Sequence, residues 1–397
     1  MSKERQGDTT DGFAVSLVRG DLLFRLQRRM GLIPDDGLGL LRRAAFWSML
    51  AWLPVAAWAW YTGRALPSVA GEPLLAHFGV QVRCLVAIPL LVLAEGQAHS
   101  VTLRVLPHFV SSGLVPTEQM SAFRQALARA TKLRDATLPW LVMLGVVLSA
   151  NTAAEVIQRS HEVTWAAEGS GAPRGLGFGA LWFLYVSRPI HLALLVAWLW
   201  RVLLLGSLFR RVAKLDLSLV PTHPDRAGGL GFLAVTPKIF APVVFALSAV
   251  LAARWAHDVV YHEVHVQDLR LQMAVFVVVA VALFASPLLA FVPLLVKTKR
   301  GALLDYSTLV GRHGRLVRDR WIAGRELEDD AILGAPEIGP IADTGQIYDA
   351  VAAMRVLPIG KATVAPLLAA AVLPLIPVLA IEIPITKILG ALAKALV

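Results

Sequence analysis

Residues 271–296 read LQMAVFVVVAVALFASPLLAFVPLLV, a run with no charged side chain. A crossing of the roughly 30 Å hydrocarbon core needs about 20 mostly apolar residues, so this stretch is long enough to span a bilayer. The rest of the chain agrees. Of 397 residues, 56% are hydrophobic and 17% charged, and the mean hydropathy is +0.63. Soluble domains are about 45–50% apolar and about one quarter charged, so a set of soluble domains is excluded. The expected fold class is all-α, a polytopic membrane helix bundle with about seven transmembrane helices. The expected spans are 44–63, 74–95, 138–157, 179–206, 237–256, 271–296 and 363–384.

Charge gives the orientation. Segments 1–43, 96–137, 207–236 and 297–362 together hold 27 Lys and Arg, whereas 64–73, 158–178, 257–270 and 385–397 hold six. That asymmetry predicts a cytoplasmic N-terminus and a periplasmic C-terminus. Aromatic belts fit it. Trp47, Trp140, Trp198 and Trp200 fall near the inner ends, and Trp58, Trp60, Trp182 and Trp255 near the outer ends. The formal charge of +10 is therefore topology, not a nucleic-acid signal. The single cysteine, Cys84, excludes an intrachain disulfide. Residues 1–11 lack an apolar core, so the first span is the expected insertion signal.

Four regions follow. Residues 1–43 are a cytoplasmic amphipathic N-terminal segment. Residues 44–296 are a six-helix transmembrane region with cytoplasmic loops 96–137 and 207–236. Residues 297–362 form a small cytoplasmic helical subdomain on a stalk, and 363–397 carry the seventh helix and an external tail. In DLLFRLQRRMG, Asp21 is the expected N-cap, and Leu22, Leu23, Leu26 and Met30 share one face. Arg25, Arg28 and Arg29 would meet anionic lipid headgroups. A second such helix, 117–136, sets Met120, Phe123, Leu127 and Leu133 against Arg124, Arg129, Lys132 and Arg134. Both read as helices lying in the membrane interface. The acidic patch Glu326 to Asp330 and the Gly/Pro-rich LGAPEIGPIADTG loop interrupt the 297–362 segment, an expected subunit contact in a homo-oligomer.

Three constellations carry candidate chemistry. In PTHPDRAGGLGF (221–232), His223, Asp225, Arg226, Gly228, Gly229 and Gly231 suit either a structural turn or an anion-binding gate of successive amides. In HDVVYHEVHVQD, Asp258, His262 and His265 share a face if the fifth helix continues outward, a spacing that suits a divalent metal. An extended loop would disperse them, and no other cofactor is expected. External His161 and Glu162 are further candidate ligands. Finally, Arg83, Arg188, His191, Arg201 and Glu95 lie within or at the edges of apolar spans. Buried cations are costly there and face a bundle interior or a wet cavity. They either line an anion path or hold backbone carbonyls and lipid phosphates. Glu95 lies at the level of Arg201. Pro89 and Pro189 invite kinks, as do Pro366, Pro374, Pro377 and Pro384 in the seventh span.

HPDRAGGLGF, RWAHDVVYH and LGAPEIGPIADT resemble an uncharacterised group of bacterial multi-pass inner-membrane proteins. The resemblance implies that membrane and no activity. No catalytic constellation is present, and no internal repeat between the halves is legible. The reading is a channel or transporter for small anions. Its rival is a non-transporting assembly or sensor protein that binds anionic lipid or a partner.

Overall fold

The computed structural model describes residues 13, 15–34, 37–66, 73–157, 164–168, 175–325 and 339–382. His161, Glu162, the acidic patch 326–330 and the expected tail 385–397 lie outside them, as do residues 333–338 of the LGAPEIGPIADTG stretch, whose remainder from Gly339 is the start of a helix and not the expected loop. Ten helices account for most of the described chain: α1 Leu22–Arg29, α2 Leu40–Tyr61, α3 Phe78–Ser111, α4 Met120–Asp135, α5 Thr137–Ile157, α6 Phe178–Val212, α7 Gly231–Tyr261, α8 Val266–Arg320, α9 Gly339–Ala352 and α10 Lys361–Glu382. Among the described residues, one strand pairing joins Ala167–Glu168 to Gly175–Leu176.

Five helices, α3, α6, α7, α8 and α10, are long and apolar enough to cross a membrane. The first expected span becomes α2, a helix of 22 residues. Its tryptophans and Pro54 dilute its hydropathy below that of the other five. The third becomes α5, apolar over Pro139–Ser149. Several helices also overrun their expected ends. Helix α3 continues to Ser111, so much of the expected 96–137 loop is helical, and α8 runs for 55 residues, about 80 Å at the helical rise. Gly311 and Gly314 do not break it.

Helix α4 buries the face the periodicity marks, but against protein rather than lipid. Phe123, Ala126, Leu127 and Ala130 are buried, and Phe123 stacks near Phe13 and Phe109. Phe109 in turn meets Phe232 and Phe291, so the extensions of α3, α7 and α8 share an aromatic core. Lys299 on α8 donates to the carbonyl oxygens of Ala352 and Met354, fastening the end of α9 to the stalk.

An internal likeness emerges that the sequence hides. In α3 a short helix, Phe78–Val82, leads into a π-turn over Arg83–Ala87, and the helix resumes at Ile88 with a proline at its second position. In α6 the same steps fall at Phe178–Trp182, Phe183–Ser187 and Arg188, again before a proline. The boundaries are offset by one hundred residues throughout. A π-turn widens the ladder where the proline removes a donor, freeing carbonyls without a break. Ser48 donates to the Cys84 carbonyl within the first π-turn (2.7 Å), and Ser187 within the second donates to Ala51 (2.6 Å). Both prolines therefore produce π-turns tied to α2. The identical residues, Phe, Gly, Val and Pro at these steps, are too sparse to stand out from an apolar background.

Candidate functional site

The site is assembled from four elements. Asp21 caps α1: its Oδ1 accepts from the Phe24 amide at 2.7 Å. Its other oxygen turns inward and lies 3.1 Å from Nη2 of Arg201 on α6. That same nitrogen is 2.8 Å from Oε1 of Glu95 on α3, and the second Glu95 oxygen is 2.6 Å from Nη2 of Arg43 on α2. Arg43 Nε donates to Gln27 Oε1 on α1, and its Nη1 donates to the Leu38 carbonyl at 3.3 Å. Two guanidinium groups and two carboxylates thus form one balanced cluster, with Glu95 as the bridge. Glu95 is 0% exposed and Arg43 1%. The guanidinium of Arg201 also lies 4.7 Å from the Trp198 ring centroid, and that of Arg43 5.9 Å from Phe24. Charges taken this far from water persist only when paired and hydrogen-bonded. Burial pushes the Asp21 carboxyl above the ordinary carboxylate range; Glu95 adds to that, against the pull of Arg201 and the Phe24 amide.

The expected pairing of Glu95 with Arg201 is present, and so is the Asp21 cap. Arg43 and Gln27 are the members that sequence reasoning passes over. Arg43 counts there as one more topogenic cation. The only signal for it is its place directly before the first expected span, in the first turn of α2. Gln27 and Asp21 also correct the reading of α1: its inward face carries polar groups that dock onto the bundle, while Leu26 and Met30 point out.

Arg83, Arg188 and His191 form a separate group nearer the opposite ends of α3 and α6. The Arg83 guanidinium lies 5.3 Å from the Phe183 ring centroid, and His191, 5% exposed, lies within electrostatic reach of both arginines. Between the two groups is an apolar layer. Leu91 on α3 and Leu194 and Trp198 on α6 are buried, and the Trp198 indole N–H donates to the Leu91 carbonyl at 2.9 Å. The five expected pathway residues therefore fall into two clusters with buried apolar side chains between them.

The 221–232 loop closes on itself. Asp225 Oδ1 accepts from the amides of Ala227 (2.7 Å) and Gly229 (3.2 Å), and Oδ2 from Gly231 (2.7 Å). Nδ1 of His223 is 2.9 Å from Oδ1. Burial alone would raise the Asp225 carboxyl, but these donors hold it below its ordinary value. A Cβ on Gly231 would lie 2.7 Å from Asp225 Cβ, and Gly229 has φ +97°, so both glycines are needed for the carboxylate to be enclosed. Arg226 (φ 55°) and Gly228 (φ 66°) complete the turn. The expected anion nest exists, and its anion is the loop's own aspartate.

The outward metal face does not form. Helix α7 ends at Tyr261, His262 is its C-cap and Glu263 takes φ 54°, so Asp258, His262 and His265 do not continue one helical face. His265 Nδ1 instead lies 3.4 Å from Glu382 on α10. His257, not among the expected ligands, stacks on His77 with ring centroids 4.9 Å apart. Among the described residues no three His, Cys, Asp or Glu side chains are grouped to hold a metal ion.

No family model, no curated protein and no solved structure matches the chain.

Proposed function

We propose that the protein is a non-conducting, multi-pass inner-membrane protein of the assembly or sensor class, whose N-terminal segment is latched to the bundle by buried charge. Its observational support is the apolar layer of Leu91, Leu194 and Trp198 between the Arg83/Arg188/His191 group and the balanced Arg43/Glu95/Arg201/Asp21 cluster. A conduit needs continuous polar lining or water. A cluster of zero net charge held by several partners supplies neither an anion relay nor a free cation. In this reading α2 and α5 cross with the five longer helices, giving seven crossings. The charge asymmetry puts the cluster end of the bundle in the cytoplasm, and the 297–362 segment hangs beneath it. The bacterial resemblance favours the inner membrane.

A second reading, a pathway for small anions, has one observation in its favour: the buried His191 lies within electrostatic reach of both Arg83 and Arg188. Flux separates the two. Full-length protein in proteoliposomes is expected to pass chloride, phosphate and small carboxylates no faster than empty vesicles. Flux above that background that falls in Arg83→Gln would overturn the non-conducting reading.

A further inference from the structure

The N-terminal segment makes a second polar contact with the bundle, one turn of α3 beyond Glu95. His99 Nδ1 lies 2.9 Å from the Ser16 hydroxyl oxygen. That oxygen already accepts two backbone amides, those of Val18 (3.2 Å) and Arg19 (3.1 Å). A serine hydroxyl has two acceptor sites and one proton to donate. With both acceptor sites filled, the hydroxyl proton is what remains for the imidazole, so Ser16 donates and Nδ1 accepts. The bond therefore requires a neutral His99 with its proton on Nε2. A protonated ring would turn an N–H toward an oxygen that has no lone pair left for it. Ser16 also begins a tightly seated stretch. Leu17 and Val18 are buried, and Gly20 (φ +101°) turns the chain so closely past Arg134 that a Cβ would meet Nη2 at 2.7 Å. Ser16 holds one end of this stretch to α3 and α4, and Asp21 holds the other to α6.

The charged surroundings oppose a proton on His99. Arg19 lies within electrostatic reach of it, and Arg42 on α2 lines a cavity with both. From α4, Arg134 donates through Nη1 to the Ser16 carbonyl and is paired with Asp135 at 2.7 Å. On α3, Glu95 is taken by Arg43 and Arg201, and Asp21 is taken by Arg201. No ion pair joins His99 to an acid among the described residues, and Asp35 and Asp36 lie outside them. We propose that the Ser16–His99 contact makes the N-terminal latch proton-sensitive, closed on a neutral imidazole and loosened when His99 takes up a proton. The hydrogen bond is complete at neutral pH and is lost as pH falls through the range in which histidine titrates, between about pH 7 and 5. The proposal rests on the latch reading and names its regulator, the proton concentration on the cytoplasmic side. It does not depend on whether the bundle conducts.

The test is amide hydrogen exchange on full-length protein in detergent, read by mass spectrometry over the peptide spanning residues 15–30. Dividing each rate by that of the unfolded peptide at the same pH gives the open fraction, compared at about pH 7.5 and about pH 5.5. In the native protein the open fraction is expected to rise on the order of tenfold in acid, or about 1.4 kcal/mol for the one proton. His99→Gln, which can still accept from Ser16 but does not titrate, is expected to rise by less than about twofold. Ser16→Ala keeps the imidazole and removes its donor, so it is expected to be more open at the higher pH and to lose the rise. Should His99→Gln misfold, Ser16→Ala decides alone. An equal open fraction at both pH values in the native protein, or an undiminished rise in either variant, would overturn the switch. A rise lost in Asp21→Asn but kept in His99→Gln would assign it to Asp21 and overturn the switch as well. Exchange as fast as in the unfolded peptide at both pH values would overturn the latch itself, and the switch with it. Flux is not read here, so a conducting protein that shows the rise would overturn the non-conducting reading and leave the switch standing.

Discussion

Glu95→Ala is expected to destabilise the detergent-solubilised protein by about 3–5 kcal/mol, the cost of leaving buried charge without its partner. Glu95 touches both Arg43 and Arg201, so its removal leaves two guanidinium groups facing one another with only Asp21 for compensation. Arg201→Ala is expected to cost less, because Glu95 keeps Arg43. Combining it with Glu95→Ala should add little, since both changes break one network. The remedy is also specific. Arg43→Met, Glu95→Leu and Arg201→Met together with Asp21→Asn should recover most of the loss, as apolar replacement of a whole buried ionic group often does. Equilibrium unfolding of the single, double and fourfold variants reads this directly. A Glu95→Ala variant as stable as the native protein would show that the cluster is not buried as described.

The second large effect is local to the 221–232 loop. Asp225→Ala removes the acceptor for three amides at once, and at about 1 kcal/mol for each exposed or half-buried bond the loss is about 2–4 kcal/mol. Asp225→Asn keeps one oxygen, and with it the bonds to Ala227 and Gly229, and should cost about 1 kcal/mol through Gly231 alone. The pH dependence has a definite sign. The folded carboxyl is held below its ordinary value of 3.8, so its contribution is complete above that value. It is lost only as pH falls through the depressed folded value. The stability gap between native protein and Asp225→Asn should be constant from neutral pH to about pH 5 and shrink in stronger acid. A gap that shrinks already between pH 7 and 5 would mean that another group controls the loop.

The bundle was legible in the sequence because a spanning helix is written in contiguous residues. Leu271 to Val296 needs no partner to be recognised, and neither does the Asp21 cap, three residues from the amide it holds. The amphipathic pattern of α4 was equally local, but a helix with one apolar face does not say whether lipid or protein covers it. Here Phe13 and Phe109 cover it. The site was only half legible because its contacts are remote: Arg201 reaches Asp21 across 180 positions and Glu95 across 106. Arg43 shows the limit best. Charge counting weighs it as any other cation at the mouth of a span, while its partners come from two other helices, α1 and α3. The Asp225 loop stays open between two readings for the opposite reason, that its contacts are all local. Its glycines and basic residues suit a structural turn and an anion-binding gate equally, and only the fold shows that Asp225, a member of the loop itself, takes the amides and makes it the turn.

The claim on which the account depends is that a dry layer separates the two charged groups. The most direct measurement is thiol modification at that layer. Leu194→Cys in a Cys84→Ala background, reconstituted in vesicles, is exposed from each side in turn to a charged, membrane-impermeant thiol reagent. The account predicts no modification from either side while the protein is folded, and full modification after denaturation. Rapid labelling of the folded protein from either side would contradict it, because water and ions would then reach the layer that is said to exclude them.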